Sequence, residues 1–276
     1  MDLVKEKLFK ELDDVTESIG VYERIYSEKL SINQPEGIFI DSQLAQFAME
    51  TILNIDTSKQ KSMHDGVNKI KMVVKAVGTD TLQSTLDGIV QSMPDLAMNL
   101  GKEPPDINIQ DHHIRLEGEV SNILKDVFTH CFRNSIDHGI ESVEQRESVG
   151  KPSKGSITLD AEQTDGHLVF RLYDDGQGLP LEKIKEKAIK AGLIKEKQKI
   201  SDIKIANMIF NSGLSTAESV SDVSGRGVGM DAVRQFLQKI GGYIDIKFTS
   251  ERSGENGYRA IEFVITLPDE HYVKVA

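Results

Sequence analysis

At 276 residues the chain can bury one sizeable core and carry a helical appendage besides. Its 33 basic residues against 44 acidic ones leave a net charge of −11, which argues against a nucleic-acid partner and against an anionic membrane surface. A single Cys excludes an internal disulfide framework and fits a reducing cytosol; with no apolar run of about 18 residues and no signal-peptide pattern, a soluble cytoplasmic protein without membrane insertion is expected.

The first third reads as helices that pack in bundles. Leu8, Leu12, Val15, Ile19, Tyr22 and Tyr26 alternate spacings of four and three, as do Met63, Val67, Ile70, Val74 and Val77. Asn33, Gln34, Pro35, Glu36 and Gly37 break the first helix, and a shorter one spans residues 42–53. Two or three such helices bury little alone, so a homodimer is expected of residues 1–80. Residues 81–100 read as a helix despite Pro94. Strands follow at 106–110 and 113–118, then at 156–162, 167–173, 243–249 and 259–267, forming one mixed sheet. Helices starting near Glu119, Leu181, Ser201 and Gly229 are expected to cover one face of it. The expected class is α+β, a two-layer α/β sandwich over 81–276 preceded by an α-helical bundle or hairpin.

Three motifs in this second part suit a nucleotide. In the helix read over 119–138, His130, Asn134 and His138 recur every four residues and share one face. The Asn134 carboxamide is a hard neutral ligand suited to Mg²⁺, and Arg133 and His138 can donate to phosphates. The second motif, Asp174-Asp175-Gly176-Gln177-Gly178, follows an alternating strand. Asp174 at the strand end can accept from the exocyclic amine of adenine, while Gly176 and Gly178 allow positive φ and close approach to a flat ring. In the third, Gly225, Gly227 and Gly229 alternate before a helix, whose first N–H groups can bind phosphate. Neither the Rossmann nor the Walker A spacing is present. Residues 212–224, rich in Ser, Thr, Gly and acids, read as a mobile lid. Each motif alone has an ordinary alternative: a polar helix face, an Asp-Gly turn, a surface loop.

In this order the motifs resemble the N, G1, F and G2 boxes of the GHKL ATP-binding domains, and most closely the CheA-type histidine kinases. The resemblance runs from about Leu100 to Pro268. It rests on residues 131–141 (CFRNSIDHGIE), on 222–231 (DVSGRGVGMD) and on Met208, Ile209 and Phe210 with Gly213 to Glu218, where Leu214 replaces the usual Phe. It implies that Asn134 coordinates Mg²⁺, that His130, Arg133, Asp137 and His138 line the triphosphate side, and that Asp174 binds the adenine amine. Gly176 and Gly178 would form the adenine wall, and Lys183 and Lys187 would reach the phosphates. Ser215 and Thr216 would act from the lid; Gly225, Arg226, Gly227, Val228, Gly229 and Met230 would form the hinge and phosphate contacts. GHKL members that hydrolyse ATP with an activated water carry Glu four residues before the Asn. This chain has His130 there, which favours phosphoryl transfer to another acceptor.

The resemblance therefore implies a histidine kinase core of a two-component system that binds ATP and Mg²⁺. The family's phosphoacceptor and C-terminal coupling domains have no counterpart in the 276 residues, so either these are a piece of a larger protein or the acceptor lies on a separate His-containing phosphotransfer protein, with a response regulator downstream. Residues 69–73 also resemble the end of the CheA dimerisation hairpin. His64-Asp65-Gly66-Val67 instead resembles the H box of another histidine-kinase family, which leaves open a self-contained kinase phosphorylated on His64. A nucleotide-gated binding module without turnover, a Ser/Thr kinase of the same superfamily and a bundle-based phosphatase also stay open.

Overall fold

The computed structural model describes residues 40–211, 229–250 and 257–274. The chain divides into two units, Met1–Gly78 and Thr79–Ala276. The expected lid, the glycines at 225 and 227, and the helix read over the first thirty residues lie outside the described residues.

In the first unit, α1 (Ser42–Leu53) and α2 (Gln60–Ala76) pack on one another. Asp41 starts α1 by accepting a hydrogen bond from Leu44 N at 2.9 Å. Gly66 sits inside α2 because Ile55 presses on it: a Cβ there would meet Ile55 Cδ1 at 2.5 Å. Met63, Val67 and Val74, three members of the seam read from the sequence, are exposed. A groove beside them is lined by Ile55, Val67, Ile70 and Val74.

The second unit is built on a five-stranded sheet ordered β2-β4-β5-β9-β7. Its strands are β2 (Asp106–Gln110), β4 (Ser156–Thr164), β5 (His167–Asp174), β7 (Tyr243–Phe248) and β9 (Ile261–Pro268). Only β2 and β4 pair in parallel. Alternation along β4 buries Ile157, Leu159 and Ala161 and leaves Thr158 and Glu162 on the other face. Three long helices supply the opposing layer: α3 (Leu82–Asn99), α4 (Gly118–Asn134) and α8 (Met230–Lys239). Phe128 of α4 meets Phe170 of β5 edge to face at 5.2 Å between ring centres, which ties the central helix to the central strand. A buried hydroxyl pair, Thr85 with Ser121 at 2.9 Å, joins α3 to α4.

Helix α3 continues through Pro94 and ends in a Schellman motif. Gly101 takes the left-handed conformation (φ +67°), its N–H reaches Met98 O at 3.0 Å, and Lys102 N reaches Ala97 O at 2.9 Å.

Four features differ from the sequence expectations. The strand read at 113–118 is shorter, β3 (Ile114–Leu116), and is not in the main sheet; it pairs with β1 (Asp80–Thr81) and β10 (Tyr272–Lys274) in a separate three-stranded sheet. His112 and His113 form the turn before it, both at positive φ, and His113 N is held by Asp111 Oδ1 at 3.2 Å. The helix read to His138 stops as α-helix at Asn134 and continues as one π turn, Ser135–Gly139. The helix near Ser201 is short, α7 (Asp202–Ala206), passing into a 3₁₀ turn. The stretch 259–267 is interrupted, because β8 (Tyr258–Arg259) leaves the main sheet to pair with β6 (Leu179–Pro180). Unread in the sequence was α5 (Val143–Ser148), which opens with a capping box between Ser142 and Gln145.

Candidate nucleotide-binding site

Asn134 ends α4, on the side facing α8. Its Nδ2 donates to Met230 Sδ at 2.7 Å, so the glycine-rich run delivers its helix directly beside the amide. One turn earlier on α4, the His130 ring stacks near Phe236 of α8, 6.4 Å between centres. Burial pushes the His130 imidazole below its ordinary value and Arg133 adds to this, while Asp126 opposes it. The ring is thus held neutral near pH 7, as a donor and acceptor rather than a cation.

The second corner forms where the π turn meets the end of β5. Asp174 is half-buried there. Burial pushes its carboxyl above the ordinary value, against the influence of the Ser135 hydroxyl and the Gly176 N–H. Gly176 N donates to Asp174 Oδ1 at 3.1 Å, and Gln177 N donates to Gly139 O at 2.9 Å.

The glycines serve this contact in a way the sequence reading did not foresee. Gly178 has positive φ (+82°), as expected, but Gly176 does not. Gly176 is required because a Cβ there would lie 2.2 Å from Gly139 O. Gly139 is required in turn because its Cβ would lie 2.8 Å from the Asp174 carboxylate. The close approach is backbone against backbone and carboxylate, which clears the space beside Asp174.

A buried charge cluster fixes the loop after Asp174. Arg146 of α5 is fully buried. It donates to Pro152 O at 2.7 Å, to Asp175 Oδ2 at 2.8 Å and to Glu141 Oε2 at 3.0 Å. Lys151 joins it, donating to Glu141 Oε1 at 2.7 Å and to the carbonyls of Asp175 and Gly176 at 2.8 and 2.9 Å. Arg146 and Lys151 had no role in the sequence reading, because a short run of Glu, Gln, Arg and Ser looks like a solvated surface. Only the capping signal of Ser142 and Gln145 marked the helix.

The structure therefore gathers His130, Asn134, Gly229 and Met230 at one corner, and Asp174, Gly176 and Gly139 at the other. Asp137 and His138 stand between them on the π turn, their side chains 3.8 Å apart. Lys183, on α6 (Leu181–Lys190), contacts the Tyr258 hydroxyl at 3.4 Å, and Lys187 lies one turn further on the same helix. Ser215, Thr216, Gly225, Arg226, Gly227 and Val228 lie outside the described residues.

These residues fit an adenine nucleotide with a hydrated cation. Asp174 offers a half-buried acceptor to an exocyclic amine, and the buried Ser135 hydroxyl lies beside it. Among the described residues no group of three or more His, Cys, Asp or Glu side chains could hold a metal.

Such a sandwich, with its nucleotide corners on α4 and β5, defines an ATP-binding domain. Residues 119–271 match the family model described as histidine kinase-, DNA gyrase B- and HSP90-like ATPase, and the chain belongs to this family. Its similarity is to CheA. The chain is 32% identical over 225 residues to the chemotaxis protein CheA of Rhizobium meliloti, covering 79% of this chain and 29% of that one. Against CheA of Bacillus subtilis it is 32% identical over 239 residues, 86% of this chain and 35% of the other. Against CheA of Klebsiella aerogenes it is 41% identical over 173 residues, 63% and 26% respectively. The chain thus spans about a quarter to two-fifths of the curated relatives it matches. The GHKL match lies in its second unit, and these curated relatives are CheA proteins.

Proposed function

We propose that this chain is the ATP- and Mg²⁺-binding core of a CheA-like histidine kinase. It would transfer the γ-phosphoryl group to a histidine on a separate phosphotransfer protein, which passes it to a response regulator. The observation that carries this reading is the pair of corners on one helix: Asn134 ends α4 beside Met230, and the π turn that follows seats Gly139 against the half-buried Asp174.

In this reading Asp174 accepts from the adenine amine and sets the base, with Gly176 and Gly178 as the wall. Asn134 holds Mg²⁺ through its carboxamide oxygen; the cation, when bound, neutralises charge on the phosphates. Arg133, Asp137 and His138 border the phosphate path, and Lys183 and Lys187 flank it from α6. Ser215, Thr216, Gly225, Arg226, Gly227, Val228, Gly229 and Met230 would be further nucleotide-binding residues in this reading. An acceptor imidazole nitrogen attacks the γ-phosphorus in line, the bond to the β,γ-bridging oxygen breaks, and ADP leaves. His130, stacked near Phe236, would act as a catalytic residue beside Asn134 on the triphosphate side; it stands where the relatives that activate a water carry Glu, which favours transfer to another acceptor.

The exposed Met63, Val67 and Val74 support a homodimer formed through the first unit. Among the described residues no helix is long and apolar enough to cross a membrane, which supports a cytoplasmic site of action. His64 is exposed on α2, so a kinase labelled in its own helices is the second reading.

Incubation with γ-labelled ATP and Mg²⁺, with and without a His-containing phosphotransfer domain, tests both. Label on the partner, acid-labile and reduced about a hundredfold or more by Asn134→Ala, is expected. Full transfer by Asn134→Ala refutes the assignment, and label on the chain itself that His64→Ala removes moves the acceptor to α2.

A further inference from the structure

A helix end leaves its last carbonyls without partners, so those of the π turn can be counted one by one. Ser135 O accepts from Ile140 N at 2.7 Å. His138 O accepts from the Gln177 side chain and Gly139 O from the Gln177 backbone, both at 2.9 Å. The other three, Ile136 O, Asp137 O and Ile140 O, all accept from Lys102 Nζ, at 2.7, 2.6 and 2.7 Å.

An ammonium has three donors and no acceptor, and here all three are spent on one turn. Its positive charge also opposes the negative end of the α4 dipole. Lys102 is half-buried; burial pushes its ammonium below the ordinary value, while Asp137 and Glu141 favour the charged form. Its place is fixed from the other side, since Lys102 N closes the Schellman motif that ends α3. One side chain therefore joins the end of α3 to the turn that follows Asn134.

We propose that Lys102 is a positioning residue for the cation and phosphates: by capping the π turn it sets the direction in which the Asn134 carboxamide and the Asp137-His138 pair face the nucleotide. The inference rests on the assignment of Asn134 to Mg²⁺. A π turn is a rare ending for an α-helix, and here its carbonyls are met by partners outside the helix. Without Lys102, three carbonyls would seek new partners, and the turn would relax toward another register. Gly139 ties the adenine corner to the same turn, but Arg146 and Lys151 brace that corner as well, so a loss of Lys102 falls mainly on the metal side.

The test uses the full chain with Lys102→Met and Lys102→Arg. Binding of a fluorescent ATP analogue is titrated with and without Mg²⁺, and amide hydrogen exchange is read at Ile140. For Lys102→Met the Mg²⁺ concentration giving half-maximal enhancement of binding should rise about tenfold, with Mg²⁺-free affinity within about twofold of the parent, as expected of a group one step behind a metal ligand. The Ile140 amide should exchange faster. Lys102→Arg should move the same readings the same way by less, since a planar guanidinium cannot meet three converging carbonyls. If Lys102→Met fails to fold, Lys102→Arg decides by the same readings. An unchanged metal requirement, or equal loss with and without Mg²⁺, overturns the proposal. Asn134→Ala separates the two levels: if it leaves the metal requirement unmoved, the Mg²⁺ assignment fails; if it shifts the requirement and the Lys102 variants do not, only the positioning role fails.

Discussion

Arg146→Met tests how the adenine corner is held. Met keeps much of the stem but deletes a guanidinium that is 0% exposed. Three short hydrogen bonds disappear, to Pro152 O, Glu141 and Asp175. The losses are unequal. Asp175 is 44% exposed and water can replace its partner, whereas Glu141 is 10% exposed and keeps its ion pair with Lys151, at 2.7 Å. Breaking a buried ion pair costs about 3–5 kcal/mol, and the surviving lysine places this one near the lower end, about 3 kcal/mol. At about 2–4 °C per kcal/mol for a unit of this size, the melting temperature should fall by about 6–12 °C. Scanning calorimetry of the full chain, parent against variant, reads this directly. ATP affinity should fall as well, because the loop 174–176 loses its brace. A variant that melts within about 3 °C of the parent would refute the reasoning, since it would leave the cluster contributing less than about 1 kcal/mol.

Two further outcomes follow from burial. The Asp174 carboxyl is raised in the folded chain, so between its ordinary value and the raised one the native state holds more proton than the unfolded state. This group's share of stability is therefore lost as pH rises through that window. Asp174→Asn should gain on the parent in denaturant midpoint as pH rises there, then run parallel above it; a constant difference throughout would contradict the assignment. The same variant should bind ATP about tenfold more weakly or worse, given about 1.5–3 kcal/mol for a hydrogen bond to a charged group. Cys131 is buried in α4 and its thiol is pushed up to about 12, so at pH 8 only about one part in ten thousand is thiolate. A thiol reagent should leave the native chain unmodified and label one Cys per chain after unfolding. Rapid labelling with the circular dichroism unchanged would show that α4 opens.

Much of the site was legible because its chemistry is local. His130 and Asn134 share a face by helical spacing alone, and α4 covers most of the predicted range, from Gly118 to Asn134. Alternation marked β4 and β5, and with β5 the strand-end place of Asp174. The helix after the glycine run begins at Met230, one residue after the expected start at Gly229. The five-residue change to a π turn was not legible, because nothing in Ser135 to Gly139 prefers that form. It exists because Lys102 and Gln177, 33 positions before Ser135 and 38 after Gly139, donate to its carbonyls.

Distance along the chain separates what each level of description could reach. The sequence by itself determined the periodicities, the turn glycines and the order of three motifs, since each depends on neighbours within a turn or a strand. Tertiary structure alone decided that β3 leaves the main sheet for β1 and β10, and that Gly176 is needed for the carbonyl of Gly139. It also decided that a charged helix buries its arginine. In each of these cases the deciding partner is remote in sequence. A polar side chain or a glycine shows what it can satisfy only once the fold has placed an unpaired carbonyl or carboxylate beside it.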